Sequence, residues 1–363
     1  MLCSAKLQQF FEKTKFFRIF EVMKKMITLI LRKSVAFWLT HVGLFLTLLF
    51  AGLGTFEHQR LNVRAFTGLP EHIAISDNRE FYHLPFRILF KNFEAEFHEN
   101  GQSKSYKADV VLISDDTQER TAIRVNHPAR FMGYDIYLSS YDQRNPTPEY
   151  VILLVIYDPW GYAKYVAIIM LLIGLFLYIW RLKFAENSTI AWIVLVAGIG
   201  FCFIPLWGYL FDGKNLIPAL RSWWFVPHIV VYMFSYAALS IACLLSIYIL
   251  STNSQKSKTK NQKCIHSSIN FTLAIGTMLM GIGLLFGSLW AKEAWGGFWA
   301  FSLKENLAAI AWVAFLGTLH FRYFYKDRHK TLAILVIVAY LLLQLCWFGV
   351  GLFPESWQGL HQY

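Results

Sequence analysis

Four histidines stand where an apolar chain has little reason to carry them. His41 falls eight residues after Lys33 in the first long apolar run, and His320 falls just before the cluster Arg322, Lys326, Arg328, Lys330 at the end of a later one. A polar ring in hydrocarbon needs a partner, so an intramembrane histidine is a functional hypothesis by default. At about 1.5 Å rise per residue, both lie on the order of 10 Å or less from the same boundary. Two neutral imidazoles at one depth on different helices can grip a haem iron axially, one ring nitrogen from each side. Two separate interhelical hydrogen bonds are the alternative.

A second pair belongs to the opposite boundary. His228 follows Arg221-Ser-Trp-Trp-Phe-Val-Pro227, and His361 lies in Pro354-Glu-Ser-Trp-Gln-Gly-Leu-His-Gln-Tyr363. Between them runs Trp290-Ala-Lys-Glu-Ala-Trp-Gly-Gly-Phe-Trp-Ala-Phe-Ser-Leu-Lys-Glu305, read as one loop. Aromatic residues at an interface ordinarily form an anchoring belt. Trp290, Trp295, Phe298, Trp299 and Phe301 exceed what anchoring needs, and beside a histidine pair they describe a porphyrin platform. Gly296 and Gly297 allow close backbone approach, and Lys292 and Lys304 are placed to meet carboxylates.

These residues require spans to hold them. Hydrophobic residues make up 56% of the 363, too many for one soluble domain of this length. About 20 apolar residues cross a bilayer, and the candidates are about 36–54, 164–181, 189–209, 228–250, 268–290, 305–322 and 331–352. The net charge of +11 is concentrated before the first span and after the second, fourth and sixth. That distribution is the loop asymmetry of a membrane protein rather than a nucleic-acid surface, and it puts the N-terminus inside and the C-terminus outside.

The segment 1–35 mixes phenylalanines with cations, as an interfacial helix or a solvated basic tail would. No small-residue cleavage site follows the first apolar run, which is expected to stay as an anchor. Residues 55–163 form the long polar stretch, alternating in Phe86–Phe97, Tyr106–Ser114, Thr121–Val125 and Tyr150–Tyr157, and predict an outer β domain. The expected fold is thus a polytopic α-helical membrane protein of about seven transmembrane helices with a β-rich extracytoplasmic domain between the first and second. Ser251–Lys263 is too polar to fold and reads as a disordered loop.

His58, His72, His83 and His98 read as surface residues, His127 before Pro128 as a turn former, and His266 and His329 as solvated or lipid-contacting. The five cysteines form no CxxC pair, so neither a zinc knuckle nor a dithiol redox site is implied. No nucleotide-binding or hydrolase motif is present.

The ordered set Trp295-Gly-Gly-Phe-Trp299-Ala-Phe301-Ser302-Leu-Lys304-Glu305, Leu319-His-Phe-Arg322 and Gly359-Leu-His-Gln-Tyr363 resembles the CcsA-type half of the System II cytochrome c synthases, with its tryptophan-rich "WWD" motif. Thr40-His41-Val-Gly43, Val125-Asn-His-Pro128, Gly133-Tyr-Asp-Ile-Tyr137 and Tyr157-Asp-Pro159 resemble the ResB-type half. The halves would cover about 189–363 and 33–182, with 164–188 holding the second span and a cytoplasmic loop. The sequence departs from the motif at Phe301, where the family has tryptophan, and at Ser302, where it has aspartate.

The resemblance implies a holocytochrome c synthase of a bacterial inner membrane, with haem b as bound ligand and substrate. By position, His41 and His320 would ligate the inner haem, and His228 and His361 the outer one. Trp290, Gly296, Gly297 and Phe298 would line the outer site, and Trp295, Trp299, Phe301, Lys304 and Glu305 would carry the ligation. Implied partners are apocytochrome c with its CxxCH, the lipid bilayer and thiol-reducing proteins, without nucleic acid. A haem exporter lacking ligase activity and a scaffold whose histidines only link helices are the competing readings.

Overall fold

The structure, a computed structural model, describes residues 34–101, 103–144, 148–182, 184–210, 218–252 and 260–349. The expected basic segment before residue 34, the middle of the Ser251–Lys263 linker and the C-terminal segment with His361 lie outside the described residues. The helices are α1 (Val35–Glu57), α2 (Gly161–Trp180), α3 (Ser188–Leu210), α4 (Phe225–Ser251), α5 (Lys260–Trp295), α6 (Leu303–Phe324) and α7 (His329–Gln344). All but α3 are long and apolar enough to cross a membrane among the described residues, counting the π turn Leu345–Gly349 with α7; in α3 the segment Ser188–Phe203 is a shorter apolar helix.

Between α1 and α2 lies a single antiparallel sheet in the order β5-β4-β3-β2-β1-β8-β7-β6. Its strands are β1 (Gln59–Phe66), β2 (Pro70–Ser76), β3 (Phe81–Phe97), β4 (Ser103–Ile113), β5 (Gln118–Arg124), β6 (Ala129–Phe131), β7 (Tyr134–Tyr141) and β8 (Tyr150–Tyr157). The edge strands β5 and β6 are joined by the tight turn Arg124–His127, where Asn126 takes a left-handed φ of 63°, so the sheet curls back on itself. Its concave interior is filled by Phe90, Ile88, Leu112, Ile123, Ile136 and Leu153, all fully buried, so it is a packed core and not a ligand cup.

One topological fact places the site. The first and last strands, β1 and β8, are neighbours paired from Gln59↔Tyr157 to Phe66↔Tyr150. The sheet is therefore an insert in a helical hairpin, and α1 and α2 leave it side by side. The junction is tied by Lys164 Nζ on Asp158 at 2.9 Å and by Trp160 Nε1 donating to Glu57 at 3.1 Å. Two expectations change here. Tyr150–Tyr157 does not alternate, because β8 is buried on both faces: Val151, Leu153 and Val155 face the sheet core, while Leu154 and Ile156 join Tyr137 on the other side. Residues 290–295 are the last turns of α5 rather than a loop, because Ala, Lys and Glu there continue the helix. The same helix begins at Lys260, inside the segment expected to be disordered.

Glycines set the spacing of α1 against α2. A Cβ at Gly174 would stand 2.5 Å from Thr40 Oγ1 and 2.6 Å from its backbone nitrogen, and one at Gly43 would stand 2.8 Å from the Leu171 nitrogen. Such small-residue contacts let helix backbones meet in lipid. Gly174→Leu should therefore push α1 outward one residue from His41 and destabilise the protein by about 1–3 kcal/mol. A lowered thermal transition in detergent is the expected result.

Candidate functional site

Helix α1 begins at Ser34, whose hydroxyl caps the first turn, and places His41 two turns in. The His41 ring stacks on Phe37 with centroids 4.0 Å apart and interplanar angle 29°, and its Nδ1 lies 2.8 Å from the Phe37 carbonyl. His320, near the end of α6, has its Nδ1 2.8 Å from the Leu316 carbonyl. A carbonyl only accepts, so in each ring Nδ1 carries a hydrogen, and in the neutral imidazole that leaves the lone pair on Nε2. The ring centroids of His41 and His320 lie 6.2 Å apart with planes at 82°, and both rings are exposed on the flank of the helix bundle. Metal–imidazole bonds of about 2 Å on either side of one atom put two ring centres roughly 6 Å apart. The sequence pair is thus brought together at a bis-imidazole spacing.

His228 sits in the first turn of α4, half-buried, with Nδ1 2.8 Å from the Gly283 carbonyl of α5. Its ring lies 4.9 Å from Tyr232 and 6.0 Å from Trp290. A Cβ at Gly287 would stand 2.8 Å from His228 Cε1, so glycine makes the room. Gly283 and Gly287 are not among the expected site residues, although their small-xxx-small spacing in an apolar run is a signal for close helix approach. His361, the expected partner of His228, lies outside the described residues.

The tryptophan-rich segment is not one continuous platform. Trp290 is only 4% exposed, donates Nε1 to the Ala219 carbonyl at 2.9 Å and packs with Phe225, Leu220 and Trp295. Phe298 turns the other way, edge-on to Tyr165 at 5.0 Å. Trp299 donates to Asn306 Oδ1 at 3.2 Å, and Asn306 donates to the Phe301 carbonyl at 2.9 Å. Phe301 is 70% exposed at a φ of 56°. Asn306 is the loop's unforeseen anchor.

Three expected ligand contacts take other roles. Lys292 is 3% exposed and bonds Asp135 of β7 at 3.0 Å and the Gly296 carbonyl at 3.0 Å, so it is not a surface cation awaiting a carboxylate. Burial works to raise the Asp135 carboxyl, but Arg130 at 2.7 Å and Lys292 outweigh it and hold its pKa below the usual value. Gly296, at φ 78°, is needed because a Cβ would stand 3.0 Å from the Tyr137 ring; its close approach is to the sheet. Glu305 folds back to accept from the backbone N–H groups of Ser302 and Ala300, each at 3.0 Å, while Ser302 Oγ accepts from Glu305 N at 3.3 Å. Ser302 and Glu305 form a capping box on α6. Gly297 and Lys304 have no ligand-like contact among the described residues; Lys304 is exposed, and its carbonyl accepts from Cys346 at 3.5 Å.

Of the remaining histidines, His98 bonds Arg221 at 2.9 Å, His72 and His83 lie 5.3 Å apart on adjacent strands, and His266 stacks on His329 at 4.0 Å.

Comparison with known proteins divides the chain in two. The pattern of the cytochrome C assembly protein family matches residues 160–358, and that of the ResB-like family matches residues 33–156. The two meet at the junction of β8 and α2, whereas the sequence alone keeps α2 with the first half. A "Cytochrome c biogenesis protein CcsA" from one strain of Prochlorococcus marinus is 31% identical over 202 residues, 47% of this chain and 63% of the relative. The protein of that name from Synechococcus sp. (strain CC9605) is 30% identical over 195 residues, 46% and 63%. That of Prochlorococcus marinus (strain MIT 9301) is 34% identical over 180, 42% and 57%. The chain thus spans less than two thirds of the length of these relatives.

The capping box separates two roles for the motif's last position. Ser302→Ala should destabilise the first turn of α6 by about 1 kcal/mol and speed amide exchange at 303–306. Ser302→Asp, an equally good cap, should leave exchange there unchanged.

Proposed function

The chain belongs to the cytochrome c assembly protein family and carries a ResB-like segment ahead of it, and from that premise we propose that it matures cytochrome c by moving haem to an outer site and attaching it there. Haem b is substrate as well as bound ligand. It enters at His41 and His320 near the inner face of a bacterial cytoplasmic membrane, the N-terminus lying inside and the C-terminus outside. It is then held at His228 and His361 near the outer face, beside the tryptophan-rich segment. Apocytochrome c and haem are the partners, with thiol-reducing proteins keeping the CxxCH cysteines reduced.

The observation that carries this reading is the His41–His320 pair. Two rings 6.2 Å apart, each with Nδ1 committed to its own helix carbonyl, present both Nε2 lone pairs for coordination. A tied Nδ1–H fixes the ring orientation and makes the other nitrogen a better ligand. His228 has the same arrangement through Gly283, which supports the same role in the outer layer. Each cysteine thiol adds across one haem vinyl, sulfur to the carbon next to the ring and hydrogen to the terminal carbon, with no net oxidation. The protein's part is positioning, and holding two vinyls against two thiols supplies rate as effective molarity. Within the WWD segment, Trp295, Trp299 and Phe301 present aromatic surface to the porphyrin. Glu305 acts through the cap it forms. Of the two cations expected to meet haem carboxylates, Lys292 is committed to Asp135, so Lys304 takes that role.

Absorption spectra of the purified protein, as isolated and after dithionite, test the assignment. His41→Ala and His320→Ala should lower haem content. His228→Ala and His361→Ala should keep the inner haem yet abolish covalent cytochrome c on co-expression. Wild-type haem loading in the His41 variant would overturn the inner site, and bound haem without covalent haem stain on the cytochrome in the wild type would leave export alone.

A further inference from the structure

The outer sheet touches the haem-handling half through its own most distinctive residues. At one contact, Asn126, held left-handed in the turn between β5 and β6, donates Nδ2 to the Pro218 carbonyl at 3.0 Å and the Ala219 carbonyl at 3.3 Å. The Ala219 carbonyl also takes the Trp290 indole at 2.9 Å, and Trp290 lies against His228. At the other contact, Asp135 and Tyr137 of β7 hold the side chain and the backbone of Lys292 in the last turn of α5. Asp135 pairs with the Lys292 ammonium at 3.0 Å, and the Tyr137 hydroxyl donates to the Lys292 carbonyl at 3.0 Å. Lys292 in turn bonds the Gly296 carbonyl and lies 5.8 Å from the Phe298 ring centre, so the turn that redirects the chain into the WWD segment is tied to the sheet. Burial of Tyr137 pushes its hydroxyl pKa well up, so it stays a donor at any working pH.

We propose that the sheet domain is the positioning element of the outer haem site: Asn126 sets the Pro218–Leu220 turn against Trp290 and His228, and Asp135 with Tyr137 sets the tryptophan-rich turn through Lys292. None of the three is a catalytic residue; each acts through another group. The physical case rests on burial. Lys292 is almost fully enclosed, and a buried cation stripped of its carboxylate is strongly destabilised, so the turn holds this geometry only while Asp135 is charged and in place. The activity arm of the test rests on the proposed haem reading, whereas the structural arm does not.

Hydrogen exchange on the purified full chain should show amides 293–302 exchanging about tenfold faster or more in Asp135→Asn, as expected when a buried partner is left unsatisfied. Exchange in β1, β3 and β4 should be unchanged. Asn126→Ala should speed exchange at 219–224 and leave 293–302 closer to wild type, and Asp135→Glu should recover much of the protection. Both loss variants should keep the inner-site Soret band, shift the spectrum of outer-site haem and lower covalent cytochrome c yield about tenfold. Unchanged exchange at 293–302 in Asp135→Asn would overturn the proposal. So would loss of protection spread evenly through the sheet, since the pair would then serve only the stability of its own domain. If the wild type holds no haem, the functional reading fails while the exchange result still decides the positioning role.

Discussion

Hydrocarbon offers an imidazole no hydrogen-bond partner, and the structure answers that constraint in the same way three times. His41, His320 and His228 each turn Nδ1 to a helix carbonyl at 2.8 Å, the first two within their own helix and the third across to α5. The bond satisfies the ring, restrains χ2 and favours one tautomer, so the cost of placing a polar group in hydrocarbon is offset by a contact that also leaves the opposite nitrogen its lone pair. Phe37 stacks under His41 and Gly287 makes room beside His228, while Gly43 and Gly174 draw α1, the helix that carries His41, onto α2.

Much of this is legible in the sequence, for identifiable reasons. Spans announce themselves by uninterrupted apolar length, and histidine depth can be counted from the flanking cations, which is why His41 and His320 match without coordinates. The division of the aromatic segment cannot be read that way. Trp290 and Phe298 look alike as platform residues, but whether an aromatic ring faces a cavity or a core depends on what covers it. Here the covering groups are Leu220 and Phe225 for one and Tyr165 of α2 for the other, each remote in sequence. Lys292 misleads for the same reason: a cation in a short loop suggests a charge placed to meet a ligand's carboxylate, and the carboxylate it meets, Asp135, lies far back in the sheet.

Ser302 shows how a motif letter can mislead when it is read as chemistry. An aspartate at that position suggests a charge, and its replacement suggests a lost one. The backbone shows an N-cap, with Ser302 extended at φ −61° and ψ 153° and Glu305 closing the reciprocal bond. Serine and aspartate are near-equal at an N-cap because both offer a short side-chain oxygen to the orphan N–H groups of the first turn. The substitution therefore keeps the start of α6, and with it the phase of the helix that carries His320.

The arrangement of the two layers follows from α5. Thirty-six residues of one helix run from Lys260 to Trp295, past His266 at one end, the Gly283 carbonyl that holds His228, and Lys292 at the other. A helix of that length is a rod of about 1.5 Å per residue, so the heights at which α5 meets α2, α4 and α6 are fixed relative to one another. The His41–His320 pair depends on α6 and α1, and α1 is fixed through α2. The surroundings of His228 depend on α4 and on the end of α5, which the sheet grips through Lys292. Since β1 and β8 continue directly into α1 and α2, the sheet that grips Lys292 is also the body from which the His41 helix descends. One insert thus bears on both histidine layers, and inserting it in a helical hairpin, rather than attaching it at a terminus, is what makes that possible.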